Sequence, residues 1–381
     1  MKRSTDRILT THTGSLPRPT SLLTTLQERE QGTRHDEAGF QTRVRAAVAE
    51  IARKQIECGI DVVNDGEQSK PDYSTYIKIR LTGFEGEPAP MPEARDGRDF
   101  PEFFADNQRW GGLTTVRPTC VAPIAWKDFA AVEADIANFK AAIGSNPARD
   151  YFLTAVSPGQ AARFLGNKFY KSHEDYLRAL ANVLKDEYTA IARAGFTLQV
   201  DCPDIASGWN NQFSRLTLPE FRKVVALHLE VLDEATKDVP PEQLRLHLCW
   251  GNYPGPHHHD IPLREIIAPV LASRAMAISF EGANPRHEHE WKVFKDFRLP
   301  DGKLVIPGVL DSTSNFIEHP EVVADRILNY ASVVGRENVI AGTDCGFATF
   351  AGRLTVHPTI VWAKLQAMVE GARMASKQLW G

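Results

Sequence analysis

The chain has 381 residues, a net charge of −4 and 43% hydrophobic residues. Its acidic and basic residues are mixed along the sequence, which argues against a dedicated nucleic-acid or membrane-surface binder. Five cysteines, an odd number in a chain this long, do not read as a disulfide framework. They point to a reducing, cytoplasmic setting in which thiols serve metals or chemistry. No run approaches the ~20 apolar residues of a membrane span, and no apolar segment follows the first charges.

In chain order, Ile8-Leu9-Thr10-Thr11 predicts a strand ending in His12-Thr13-Gly14-Ser15, with Pro17 and Pro19 marking the turn. Residues 36–58 predict a helix, with Gly59 as its C-cap. Asp61-Val62-Val63-Asn64 predicts a second strand, running into Asp65-Gly66-Glu67. Residues 77–143 are irregular and proline-rich, and are expected to form an inserted excursion or lid. Regular alternation then returns. Strands are predicted to end near Ser157, Asp201, Cys249, Glu281, Asp311 and Cys345, with helices over 174–194, 219–236, 262–272, 320–334 and 357–378.

Eight strands that alternate with helices and end in polar residues predict a parallel sheet closed as a (β/α)₈ TIM barrel in a single domain. An open doubly wound sheet is the competing fold. It would typically carry a Gly-rich phosphate loop after the first strand, and none is present.

The stretch Arg245-Leu246-His247-Leu248-Cys249 stands out. On a strand, His247 and Cys249 are two apart and point to the same side. Glu281 and Cys345 end two later strands, which completes a His/Cys/Glu/Cys set suited to zinc. So much ligand charge makes zinc a poor generator of hydroxide. It suits holding a substrate thiol as a thiolate, so the implied reaction is alkyl transfer to sulfur.

Seven short motifs occur in a telling order: Thr13-Gly14-Ser15, Asp65-Gly66-Glu67, Gln199-Val200-Asp201, His247-Leu248-Cys249, Ser279-Phe280-Glu281, Gly308-Val309-Leu310-Asp311 and Asp344-Cys345-Gly346. In this order they resemble the zinc-bearing C-terminal domain of the cobalamin-independent methionine synthase family. The resemblance implies a (β/α)₈ barrel with Zn²⁺ at His247, Cys249, Glu281 and Cys345. It also implies that Ser15, Glu67 and Asp201 hold the amino-acid part of a small thiol such as homocysteine, while a small alkyl donor binds alongside.

Two positions depart from that family: Cys202 stands where a glutamate is usual, and Thr313 where a histidine two residues beyond Asp311 serves as proton donor. Asp311 and His319 are therefore the candidate catalytic residues, with the run His257-His258-His259 as another source of the proton. The family also includes epoxyalkane:coenzyme M transferases, for which Arg18, Lys70 and Arg80 are candidate sulfonate ligands. A third reading is a zinc-binding barrel without turnover.

Overall fold

A computed structural model describes residues 1–32, 36–106, 116–144 and 147–381. Eight parallel strands form the barrel: β1 (Leu9–Thr10), β2 (Val62–Val63), β3 (Asp150–Val156), β4 (Thr197–Asp201), β5 (Leu244–His247), β6 (Ala277–Phe280), β7 (Leu304–Leu310) and β8 (Ile340–Thr343). They pair in the order β1-β8-β7-β6-β5-β4-β3-β2. Hydrogen bonds close the remaining seam: Asp61 N donates to Thr10 O (3.1 Å) and Thr11 Oγ1 to Val62 O (3.0 Å). The (β/α)₈ expectation therefore holds.

These strands are nearly continuous apolar runs because helices cover the outside and side chains fill the inside. Every residue of β4, β5, β6 and β7 is buried. The helices form where the sequence supplies both an amphipathic face and a cap. Ser172 accepts from Asp175 N at the start of the His173–Arg193 helix, whose buried face includes Leu177, Leu180, Leu184 and Ile191. Thr217 and Glu220 form a capping box on Leu218–Ala235. Gly59, at φ 92°, ends Glu37–Cys58 as expected.

Register decides which polar groups meet at the barrel mouth. Val156 pairs with Asp201, Asp201 with His247, and His247 with Ser279. One layer lower, Gln199 pairs with Arg245. The buried Arg245 guanidinium donates to Gln199 Oε1 (2.7 Å), Thr11 Oγ1 (3.2 Å) and His12 O (2.8 Å), and lies 3.6 Å from the Phe152 ring centroid. This polar plug sets a floor beneath the mouth.

Within the 77–143 stretch, Phe84–Glu85 and Thr119–Cys120 form an antiparallel pair, and Arg95–Asp99 and Pro101–Asp106 are short helices. The Ala130–Ile143 helix packs on Glu37–Cys58 and on His173–Arg193, as a barrel helix does. Residues 107–115 of the stretch lie outside the described residues.

Candidate active site

His247 ends β5, and Cys249 follows it in the loop above. The imidazole is buried. Its Nδ1 lies 3.3 Å from Ser279 Oγ, the partner that strand register puts beside it, while Nε2 has no hydrogen-bond partner. Burial, assisted by the positive Arg245, pushes its pKa down to about 3, so the ring is neutral and keeps a lone pair to offer.

Cys249 Sγ and Cys345 Sγ are 3.5 Å apart. The ligand atoms of His247, Cys249 and Cys345 all lie within 4.8 Å of one another. The hydrogen bond to Cys345, together with burial, pushes the Cys249 thiol well above its usual range. An orphaned buried imidazole nitrogen facing two thiols fits a soft divalent ion, whose binding would release the thiol protons.

Glu281 stands next to this trio, in electrostatic contact with Cys249. Its Oε1 accepts from Trp250 N (2.7 Å) and its Oε2 from Asn284 Nδ2 (2.7 Å). Asp344 fixes the loop that carries Glu281. Its carboxylate accepts from the backbone N–H groups of Gly282, Ala283 and Asn284, each at 2.8 Å. A Cβ on Gly308 would collide with Asp344, so a glycine is required there. Asp344 is a positioning residue, to which the sequence motif Asp344-Cys345-Gly346 assigned no role. Its adjacency to Cys345 was the available signal.

The trio opens into a cavity of about 1100 Å³ lined at depth by Thr13, Ser15, Glu67, Asp201, His247, Cys249 and Cys345. Ser15, Glu67 and Asp201 are thus brought to the same cavity as the thiols. Glu67 takes a left-handed backbone at φ 54°, a conformation that costs energy and clusters at functional sites. Its Oε1 accepts from Thr154 Oγ1 (2.9 Å), and its Oε2 is buried without a partner. Gly14, at φ 144°, leaves room for this carboxylate, because a Cβ there would come within 2.7 Å of Oε1. Asp201 accepts from Gln199 Nε2 (2.7 Å). Burial raises the pKa of Glu67; burial and the neighbouring Glu67 charge push that of Asp201 well above the carboxylate range. Such a pair favours a cationic guest.

Other expected residues lie elsewhere. Asp311 follows β7 and accepts from Thr313 N (2.8 Å) and Thr313 Oγ1 (2.7 Å), apart from the cavity lining. His319 is 68% exposed and caps the Pro320–Val334 helix by accepting from Glu321 N. Cys202 is buried, with its thiol directed at Val200 O. The three consecutive histidines diverge: His257 pairs with Asp260 (2.7 Å), while His258 and His259 both reach Asp99 (2.8 and 2.7 Å) on the excursion. Arg18 donates to the backbone oxygens of Ala348 and Glu67, Lys70 to Thr154 O, and Arg80 pairs with Asp135 and Glu187. None of these three cations lines the cavity.

The family model described as cobalamin-independent synthase, catalytic domain, matches residues 8–91 and 166–374. The chain belongs to this family. Within the cobalamin-independent synthases it is 24% identical over 368 residues to a methionine synthase of Thermococcus kodakarensis, covering 96% of this chain and 93% of the relative. A methionine synthase of Saccharolobus islandicus is 24% identical over 372 residues, covering 97% and 95%. The fold matches that of a B12-independent methionine synthase from Shewanella sp. W3-18-1, solved with selenomethionine, at a TM-score of 0.75 and 21% identity over 98% of this chain and 99% of the other. The family match passes over residues 92–165, which include most of the excursion.

Proposed function

We propose that this cobalamin-independent synthase relative transfers a methyl group to the sulfur of a small amino-acid thiol, of which homocysteine is the leading candidate. The observation that carries this reading is the unpartnered, buried Nε2 of His247 grouped with two thiols at the floor of a substrate-sized cavity. His247, Cys249 and Cys345, with Glu281 as fourth donor, would hold zinc. Zinc bound there would supply a positive charge that keeps an incoming thiol deprotonated at neutral pH.

The chain's own side chains do the rest. Glu67 Oε2 accepts the substrate ammonium, and Asp201 shares that charge. Ser15 lines the same wall, with Gly346 packed against it, since a Cβ at Gly346 would collide with Ser15 Oγ. Sulfur then attacks the methyl carbon. The new S–C bond forms as the bond from carbon to the leaving atom breaks, and that atom keeps the electron pair and takes up a proton. Trp250, buried beside Cys249, helps exclude water from the reacting sulfur. Asp311, bound to Thr313, and the exposed His319 both stand off the cavity lining, so the proton for the leaving atom comes from solvent at the cavity mouth.

The names of the relatives support the reaction class, and the ordered site residues support the roles. The test is incubation of zinc-loaded protein with homocysteine and a panel of methyl donors headed by methyltetrahydrofolate. Methionine formation that is lost in Cys345→Ser is expected. No methionine with any donor would contradict the reading.

A further inference from the structure

The cavity is electrically lopsided. Its floor carries Glu67, Asp201 and the thiols, while its outer wall carries Arg117, Arg163 and Arg353. These arginines come from separate places: Arg117 from the excursion, Arg163 from the Pro158–Phe164 helix after β3, and Arg353 from the loop after β8. Among the described residues, no carboxylate forms an ion pair with any of them. Arg163 donates to the neutral oxygens of Gln160 (3.4 Å) and Ser207 (2.5 Å), and its Nε is buried without a partner, as is that of Arg353.

Arg117 lies 4.3 Å and Arg163 5.0 Å from the centroid of Phe164, so one ring holds both cations. The nearest acidic influences are already engaged. Asp72 bonds Ser74 and Thr75, and Asp204 bonds Ser157 and His228. Glu87 is the further carboxylate on the lining. Burial pulls all three guanidiniums below their usual range, and Arg117 repels both others. Clustered, largely desolvated cations without an ion-pair partner are costly unless an anion joins them.

We propose that Arg117, Arg163 and Arg353 form a binding site for an oxyanion group carried by the second substrate, the alkyl donor. This rests on the alkyl-transfer reading of the floor, which already supplies a site for the thiol's ammonium group. Guanidinium forks recognise carboxylate, sulfonate or phosphate through paired hydrogen bonds, and all three share that chemistry. Arg117 and Arg163 also fall in the 92–165 stretch that the family match passes over.

The experiment is calorimetric titration of zinc-loaded protein with acetate, methanesulfonate and inorganic phosphate, with neutral methanesulfonamide as control. Saturable one-to-one binding of at least one anion is expected, weakening with added salt and falling tenfold or more in Arg117→Gln/Arg353→Gln. Both side chains are only partly buried, and an unchanged far-UV circular dichroism spectrum verifies that the double variant folds. No binding of any anion, or equal binding by the double variant, would overturn the proposal. So would displacement of the bound anion by homocysteine, which would place the arginines on the thiol's own carboxylate. The visible spectrum of cobalt-substituted wild-type protein, read with and without homocysteine, separates the two readings. A spectrum unmoved by thiol removes the alkyl-transfer reading whatever the anions do, while a responsive floor with silent arginines removes only the anion site.

Discussion

At the scale of single residues, the site depends on atoms left without partners where burial makes that expensive. His247 Nε2 and Glu67 Oε2 are both of this kind. An unsatisfied buried polar atom costs ~1–3 kcal/mol, so its persistence marks a place kept for a ligand. Glu67→Gln is expected to raise the KM for an amino-acid thiol by about 10- to 100-fold, corresponding to a lost charged hydrogen bond of ~1.5–3 kcal/mol, with little change in zinc content. Steady-state kinetics beside metal analysis check this. Asp344 acts at one remove, through the loop that bears Glu281. Asp344→Asn keeps the size and removes the charge that holds three backbone N–H groups. It is expected to weaken zinc affinity about 10- to 100-fold, read by competition with a chelating dye, because groups that orient metal ligands typically matter by that much.

At the scale of elements, strand register accounts for most of what was readable beforehand. His247 and Cys249 point the same way on an extended chain, and their place at the end of β5 sets His247 beside Ser279 and Asp201. Apolar runs ending in polar residues exposed the barrel because the closed sheet buries the runs and leaves their C-terminal ends at the mouth. The loops after the strands were less legible, since their geometry comes from contacts between distant segments. The Trp250–Asp260 loop is an example. His287 stacks on Trp250 at 4.2 Å and joins Asp260 (3.1 Å) and Glu290 (2.9 Å) beneath it, an arrangement without a local sequence signal. Although burial opposes it, the bonds to Asp260 and Glu290 raise the His287 pKa to about 10. A histidine raised from its unfolded value near 6.5 contributes fully below that pH and loses its contribution as pH rises through about 10. Wild-type stability to urea is therefore expected to fall between pH 7 and pH 10. His287→Phe leaves the buried Glu290 with the Leu263 N–H alone and Asp260 with His257 alone; it is expected to cost about 3–5 kcal/mol at pH 7 and to flatten that fall.

At the scale of the whole molecule, the barrel gathers the proposed metal and ammonium ligands on the cavity floor and the proposed oxyanion ligands on its wall. The floor was legible in the sequence because its candidate ligands sit at strand ends in family order. The wall was not: Arg117, Arg163 and Arg353 are dispersed, and only folding places them on one cavity, whereas Arg18, Lys70 and Arg80 turn out to be spent on internal partners. Asp99 on the excursion meets His258 and His259 on the loop after β5, tying the inserted stretch to the barrel mouth. Asp99→Asn removes the shared carboxylate charge and is expected to speed proteolytic cleavage of residues 95–106 several-fold, measured by limited digestion, while zinc content stays unchanged.

The central claim is that His247, Cys249, Cys345 and Glu281 grip one zinc ion that can accept a substrate's sulfur. Zinc K-edge absorption spectroscopy on the purified protein, with and without homocysteine, tests it most directly. The account predicts one zinc per chain with two sulfur ligands at rest and a third sulfur once the thiol is added. A chain that retains no zinc, or a ligand shell that homocysteine leaves unaltered, would contradict it.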